Sequence, residues 1–293
     1  MLDKPVGLSS NEALQMVKKL FSAKRAGHTG SLDPIASGML PICFGEATKF
    51  SQFLLGADKH YVVTGRLGEV TTTGDSESPV IKKREIKNIS TRSFDKILSK
   101  FRGKILQTPP MYSAIKHKGQ PLYKLARQGI EVERSPREVN IYKLQLLEFS
   151  DNLVRLRVHC SKGTYVRTLI VDIGESLGCG AHVVALRRSM VGPYDESKMV
   201  TLDRLRQLSS NNNYEELDRF LLPIDSILVG MPELFLTSDM VHYLFLGQSV
   251  LVPHSPKSGW VRLKDKEGRF LGIGEVALDG KVAPKRMVKS TKP

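Results

Sequence analysis

The sequence predicts an α+β fold in which a large unit is followed by a small barrel-like module, and three observations carry that expectation. Strand patterns occur in hairpin and mixed contexts without regular strand–helix–strand alternation, which argues against a doubly wound sheet. A chain of 293 residues suits two units, one large and one appended. Composition shifts at Gly230-Met231-Pro232, which divides the chain into residues 1–230 and 231–293.

The elements follow in order. Ser9 and Glu12 form a capping-box pattern ahead of Leu14, Val17, Leu20 and Phe21, which are spaced for a helix. A glycine-punctuated loop runs from Arg25 to Pro34, and a second helix is expected over about Ala47–Leu55. Residues His60–Leu67 read as a strand, closed by the polar run Thr71–Ser78. Phe94, Ile97, Leu98 and Phe101 mark another helix. Ile141–Phe149 and Leu153–Cys160 predict a hairpin turning at Ser150-Asp151-Asn152. Helical spacing resumes at Thr164–Leu177 and stops near Gly178. Beyond Pro232 come one helical pattern, Ser238–Leu246, and short strand patterns that include Trp260–Leu263 and Phe270–Ala277. Gly247, Gly268 and Gly280 punctuate them, and the chain ends on Lys281, Lys285, Arg286, Lys289 and Lys292. Short strands at close spacing predict a barrel-like module with a basic edge.

Lys and Arg total 44 against 30 Asp and Glu, a net charge of +14 that favours a polyanionic partner such as nucleic acid. The basic residues recur through ordered-looking segments, so a folded surface carries the charge. A hydrophobic content of 41% supports a proper core and argues against global disorder. No run of about 18 apolar residues occurs, so no membrane helix is expected. The first residues hold a charge pair and a proline instead of an apolar signal core, and a cytoplasmic chain is expected. Cys43, Cys160 and Cys179 are odd in number and scattered, which fits a reducing compartment without a disulfide framework. His159, Cys160, Cys179 and His182 match no standard ligand spacing, so no metal is expected. Without a glycine-rich nucleotide fingerprint, no cofactor is expected either.

Two stretches are dense in residues that can carry chemistry. The first is Gly27-His28-Thr29-Gly30-Ser31-Leu32-Asp33-Pro34, continuing through Ser37-Gly38-Met39-Leu40-Pro41. Its glycines let backbone approach a ligand, and Pro34 restricts the residue before it, fixing the Asp33 carboxylate. An isolated Asp-Pro is more often a helix start, and a lone His28 is more often a packing or surface residue. The second stretch is Cys160-Ser161-Lys162-Gly163-Thr164-Tyr165-Val166-Arg167-Thr168, continuing to Asp172. Gly163-Thr164 resembles a strand-to-helix turn that would set Arg167 and Asp172 on the early turns of a helix. Arg167 could be half of a surface ion pair, or the planar, always-charged partner that keeps Asp33 ionised and oriented.

Taken together, Lys4-Pro5 with Gly7 and Ser9-Ser10, the GHTGSLDPIASGMLP stretch, the Tyr61 strand and CSKGTYVRTLIVDIG resemble the ordered motifs of the TruB-type tRNA pseudouridine-55 synthases. The resemblance extends from Leu2 to Val288. It implies a mixed, mostly antiparallel sheet of the pseudouridine synthase type in residues 1–230 and an RNA-binding PUA domain in residues 231–293. It implies isomerisation of the T-loop uridine of tRNA, with Asp33 as the catalytic carboxylate acting as nucleophile or base. Tyr61 would stack on the flipped uracil and assist proton movement at C5, Arg167 would pair with Asp33, and His28 would enter the T loop. By the same resemblance Leu186 lines the uracil pocket, while Lys4 and Tyr165 support the site. Lys162, Arg187, Lys285 and Arg286 are the expected RNA contacts. The implied partner is tRNA through its T arm, bound by a monomer with no obligate protein partner. A guide-RNA-dependent synthase acting on ribosomal RNA would share the catalytic motifs. A non-catalytic RNA-binding or RNA-folding protein would explain the charge but not an Asp33–Tyr61–Arg167 set. One departure is visible. The family has a short extension and a strand running into the Leu-Asp-Lys-Pro motif, whereas this chain begins at Met1-Leu2. That bears on the first strand and on some basic RNA contacts, not on the catalytic set.

Overall fold

The computed structural model describes residues 1–87 and 89–289; Lys292, counted above in the basic tail, lies outside the described residues. An eight-stranded sheet organises the larger part of the chain. Its strands lie in the order Val200–Thr201, Leu2–Lys4, Ala36–Leu40, Ala181–Val191, Lys59–Leu67, Leu153–Cys160, Arg137–Ser150 and Gly103–Gln107. The Leu2–Lys4/Val200–Thr201 and Ala36–Leu40/Ala181–Val191 pairs are parallel and the other neighbours are antiparallel, a mixed, mostly antiparallel sheet. The strand Leu2–Lys4 forms although it starts at the second residue, because it has a hydrogen-bonding neighbour on each side.

The central strand, Lys59–Leu67, alternates strictly, with Lys59, Tyr61, Val63 and Leu67 buried and the intervening residues half-buried. Period-two alternation sends the first set to the face that carries the core. On its flanks run the predicted hairpin, Arg137–Ser150 with Leu153–Cys160, and the strand Ala181–Val191. The parallel pairing of Ala36–Leu40 with Ala181–Val191 depends on Gly38. It has φ +98°, and a Cβ there would stand 2.3 Å from the Arg188 carbonyl oxygen.

The helix Ser10–Leu20 is closed by the capping box read from sequence: Ser9 Oγ accepts from Glu12 N–H and the Glu12 carboxylate accepts from Ser9 N–H. The helix Val166–Ser176 buries Val166, Leu169, Ile170 and Ile173 against the sheet. It starts two residues later than the spacing suggested. The Thr164 hydroxyl donates to Ser161 O at 2.9 Å and Tyr165 N–H donates to Gln107 Oε1 at 3.0 Å, so both stay in the loop. The expected helix over Ala47–Leu55 divides into a 3-10 turn, Gly45–Phe50, and a short α-helix, Ser51–Leu55.

The five strands Glu233–Phe235, Gly259–Lys264, Phe270–Val276, Lys281–Met287 and Val250–Leu251 form a second sheet, in that order, with the helix Ser238–Phe245. This module seats on the segment 45–55. Phe50 meets Phe270 edge-on at 5.4 Å and Phe53 meets Trp260 at 5.7 Å. Lys49 Nζ donates to Met287 O at 2.9 Å. Arg286, expected among the RNA contacts, is engaged within this seam: Nη1 donates to Lys49 O at 2.7 Å and Nη2 to Gln52 Oε1 at 3.0 Å. Lys285 pairs with Glu275 Oε2 at 2.7 Å.

Candidate active site

The stretch from Gly27 to Pro41 does not start a helix. Asp33 O accepts from Ala36 N–H at 3.0 Å, a turn that feeds the strand Ala36–Leu40, and Pro34 O accepts from Gly7 N–H at 2.8 Å. The buried Ser10 hydroxyl accepts from Leu32 N–H at 2.7 Å and donates to Leu32 O at 3.0 Å, fixing the residue ahead of Asp33. Asp33 therefore sits on a loop tied down from both sides.

Its carboxylate meets Arg167, whose Nη2 lies 2.8 Å from Asp33 Oδ2. The guanidinium is shared with a second carboxylate: Nη1 lies 3.1 Å from Asp75 Oδ2. Nη1 also donates to Thr73 O at 3.0 Å and Nη2 to Tyr112 O at 2.9 Å. Asp75 is held in turn by Glu77 N–H at 3.1 Å and by the Thr73 hydroxyl. Gly74, at φ +77°, lets this loop lie on Arg167, since a Cβ there would come within 3.2 Å of Arg167 Cγ. The two carboxylates differ in access, with 40% of the Asp33 side chain exposed and 3% of Asp75. Asp75 is the structural partner and Asp33 the accessible one.

Asp33, Tyr61, Arg167, Tyr165, Leu186 and His28 line one cavity of about 400 Å³, within the roughly 300–1,000 Å³ of small-molecule sites. Burial in this cleft pushes the Asp33 carboxyl above its ordinary value; Arg167 opposes the shift and Asp75 adds to it. Tyr61 is pushed up by burial, with the Arg188 guanidinium opposing, so its hydroxyl keeps its proton at neutral pH. His28 is pulled down, first by burial and then by Arg188, which favours the neutral imidazole. Among the described residues its Nδ1 has no partner. Burial raises Tyr165, and the Ser113 hydroxyl beside it opposes the shift.

Lys4 is fully buried and spends its ammonium on Pro5 O at 2.8 Å and Leu8 O at 2.6 Å. Burial lowers it to about 8, while Glu77 and Asp33 favour its charged form. Lys162 is exposed, one residue before Gly163 on the cavity lining. Arg187 lies away from the cavity: it grips Asp3 at 2.9 and 3.0 Å and Glu196 at 2.9 Å. Its neighbour Arg188 turns inward instead. Arg188 is fully buried, with Nε donating to Met39 O at 2.7 Å and Nη2 to Gly30 O at 2.9 Å. Sequence reasoning missed Asp75, Lys59 and Arg188. The inward direction of Arg188 follows from its pairing with Tyr61, which no local pattern reveals. Among the described residues no cluster of His, Cys, Asp and Glu is placed to hold a metal ion, and no helix is long and apolar enough to cross a membrane.

Comparison with known proteins shows the family. Residues 18–166 match the N-terminal domain of the TruB family pseudouridylate synthases. Residues 167–229 match the tRNA pseudouridylate synthase B C-terminal domain, and residues 232–288 the C-terminal region of pseudouridine synthase II TruB. The tRNA pseudouridine synthase B of Coxiella burnetii is 58% identical over 289 residues, covering 99% of this chain and 94% of its own. That of Stutzerimonas stutzeri is 53% identical over 290 residues, covering 99% and 95%. Among solved structures, a Cbf5-Nop10-Gar1 complex superposes with a TM-score of 0.73 at 26% identity, covering 100% of this chain and 84% of that one. An H/ACA RNP bound to a substrate RNA containing 2'-deoxyuridine gives 0.72 at 24% identity, covering 100% and 84%, a likeness of fold. The C-terminal five-stranded sheet is PUA-like. With such relatives matching it along nearly its full length, the chain belongs to the TruB family of tRNA pseudouridine synthases.

Proposed function

We propose that this tRNA pseudouridine synthase acts on uridine 55 of the T loop, flips it into the cavity, and uses Asp33 to begin the exchange of a C–N for a C–C glycosidic bond. The observation that carries the proposal is the 2.8 Å contact between Arg167 and an accessible Asp33 at the wall of a uridine-sized cavity. In the reaction N1–C1′ breaks, C1′–C5 forms, C5 gives up its hydrogen and N1 gains one. No group is imported and nothing is oxidised, so one carboxylate with a proton-handling neighbour suffices. Attack at the sugar, attack at the base and proton abstraction from the sugar each start from the ionised carboxylate that Arg167 orients. In this reading Tyr61, on the cavity lining, stacks on the base and handles the C5 proton. Leu186 supplies an apolar wall. A neutral His28 at the rim suits insertion into the loop, replacing part of the few kcal/mol of stacking lost on flipping.

Residues 231–293 serve as the RNA-binding domain of a cytoplasmic enzyme that works as a monomer without an obligate protein partner. The structural neighbours include an H/ACA RNP bound to a substrate RNA, yet the 58% and 53% identical relatives are named for tRNA. The separating experiment incubates the purified chain with a bare T-arm stem-loop, labels pseudouridine chemically and locates the label by mass spectrometry. Labelling at the T-loop uridine is expected without any guide RNA. No labelling there, with modification elsewhere on whole tRNA, would overturn the position.

A further inference from the structure

Lys59 opens the strand that carries Tyr61 and points to the same face. It is buried and lines the cavity together with Tyr61 and Leu55. Its ammonium donates to Leu54 O at 3.2 Å, to Leu55 O at 2.9 Å and to Ala57 O. The first two carbonyls close the short helix Ser51–Leu55 and the third follows it, at the helix end where the dipole favours a cation. An ammonium has three donors, and all three are committed to backbone. Lys59 is therefore poorly placed to move protons in the reaction and well placed to hold a wall.

The helix it grips has a second neighbour. Gln52 accepts from Arg286, Phe53 meets Trp260, and Phe50, one residue before the helix, meets Phe270. The segment is thus clasped between the C-terminal module and the Tyr61 strand, and Lys59 is its polar tie to the strand. Lys59 is lowered to about 8, first by burial and then by Arg188 and Lys162, while Cys160 and Asp58 favour the charge. At neutral pH the cation and its three donors persist.

We infer that Lys59 is a positioning residue that pins the carbonyl end of the Ser51–Leu55 helix to the Tyr61 strand, so that Leu55 closes the cavity and the seat of the C-terminal module stays in register with the site, a role that rests on the cavity being the uridine site. Loss of the tie lets the wall move without removing any group that binds RNA backbone, so the chemical step suffers more than affinity.

The test uses the full chain with Lys59→Met, which keeps the stem and removes the donors, and Lys59→Arg, which keeps charge and several donors. The substrate is an unmodified full-length tRNA transcript in which pseudouridine is counted wherever it forms, so failure of the position-55 assignment leaves the test intact. Lys59→Met is expected to lower the single-turnover rate at saturating enzyme by at least about tenfold, as for a displaced wall. Its Kd, from filter binding, should stay within about threefold of the parent. Lys59→Arg should recover most of the lost rate. A Met variant as fast as the parent, equal losses in rate and affinity, or no recovery with Arg would each overturn the inference. Should Lys59→Met fail to fold, Leu55→Ala reads the same wall with Lys59 intact. The same split between rate and Kd is expected, and parental kinetics would overturn the inference.

Discussion

Arg167 carries one positive charge between two carboxylates, so exchanging it for lysine keeps the charge and removes the fork. Its guanidinium serves four acceptors: Asp33 Oδ2, Asp75 Oδ2, Thr73 O and Tyr112 O, all between 2.8 and 3.1 Å. An ammonium has three donors on a differently shaped head, so at least one of these acceptors loses its partner. An orphaned buried acceptor costs about 1–3 kcal/mol of stability. The larger effect is on rate. A displacement of about 1 Å at a reacting group lowers rates roughly 10²-fold, equivalent to about 2.7 kcal/mol of barrier. We expect Arg167→Lys to slow single-turnover pseudouridine formation by about 10²-fold, with RNA affinity nearly unchanged because Arg167 is buried beneath the cavity. The pH profile gives an independent sign. Burial already raises the Asp33 carboxyl, and Arg167 is the first influence opposing that rise. A looser partner lets the carboxyl rise further, so the ionised form disappears at a higher pH and the acid limb of the rate profile moves up. A lysine enzyme within about tenfold of the parent, with its acid limb unmoved, would refute the assignment of Arg167 as the orienting partner.

Asp33→Asn should leave folding and RNA affinity nearly intact while turnover disappears, because an amide is neither nucleophile nor base; turnover within about tenfold of the parent in a pseudouridine assay would sink the catalytic assignment. His28→Ala should slow reaction on the intact, structured T arm more than on a fragment whose loop is already open, since only the former requires unstacking; equal losses on both would move His28 out of that role. Arg286→Gln should lower the unfolding temperature and leave the salt dependence of tRNA binding unchanged, because its guanidinium is engaged on Lys49 and Gln52. A drop of about 0.7–0.9 in the log–log salt slope would instead mean that Arg286 reaches a phosphate.

What could be read from the sequence is what depends on neighbours in the chain. The Ser9–Glu12 box and the turn at Asp151-Asn152 are local, and both appear where the residues place them. Asp33 and Arg167 are legible because each sits in a distinctive stretch. Asp75 is not: it lies in an ordinary polar loop, and its value comes from Arg167 reaching across 92 positions of chain to it. Arg187 and Arg188 make the limit plain. Adjacent strand residues face opposite ways, so which arginine enters the site is decided by register with Tyr61, a long-range property. Lys59 is missed for a different reason: its partners Leu54, Leu55 and Ala57 are close in sequence, but a lysine opening a strand reads as a solvated end until the Ser51–Leu55 helix folds over it. The split of the segment 45–55 into two helical forms was equally out of reach, being set by Gly45 and by what packs on Phe50.

The seam between Phe50 and Phe270 has a consequence for the order in which the enzyme becomes competent. Lys49 and Met287 are bonded across 238 positions of sequence, and Gln52 and Arg286 across 234. At a synthesis rate of about 5–20 residues per second, roughly 10–50 s separate the emergence of the two partners from the ribosome. For most of that interval Phe50, fully buried in the finished protein, lacks the part of its cover that Phe270 and Ile273 supply. The proposed catalytic residues, Asp33, Tyr61 and Arg167, are all made before the strand Lys281–Met287 that completes the seam behind them.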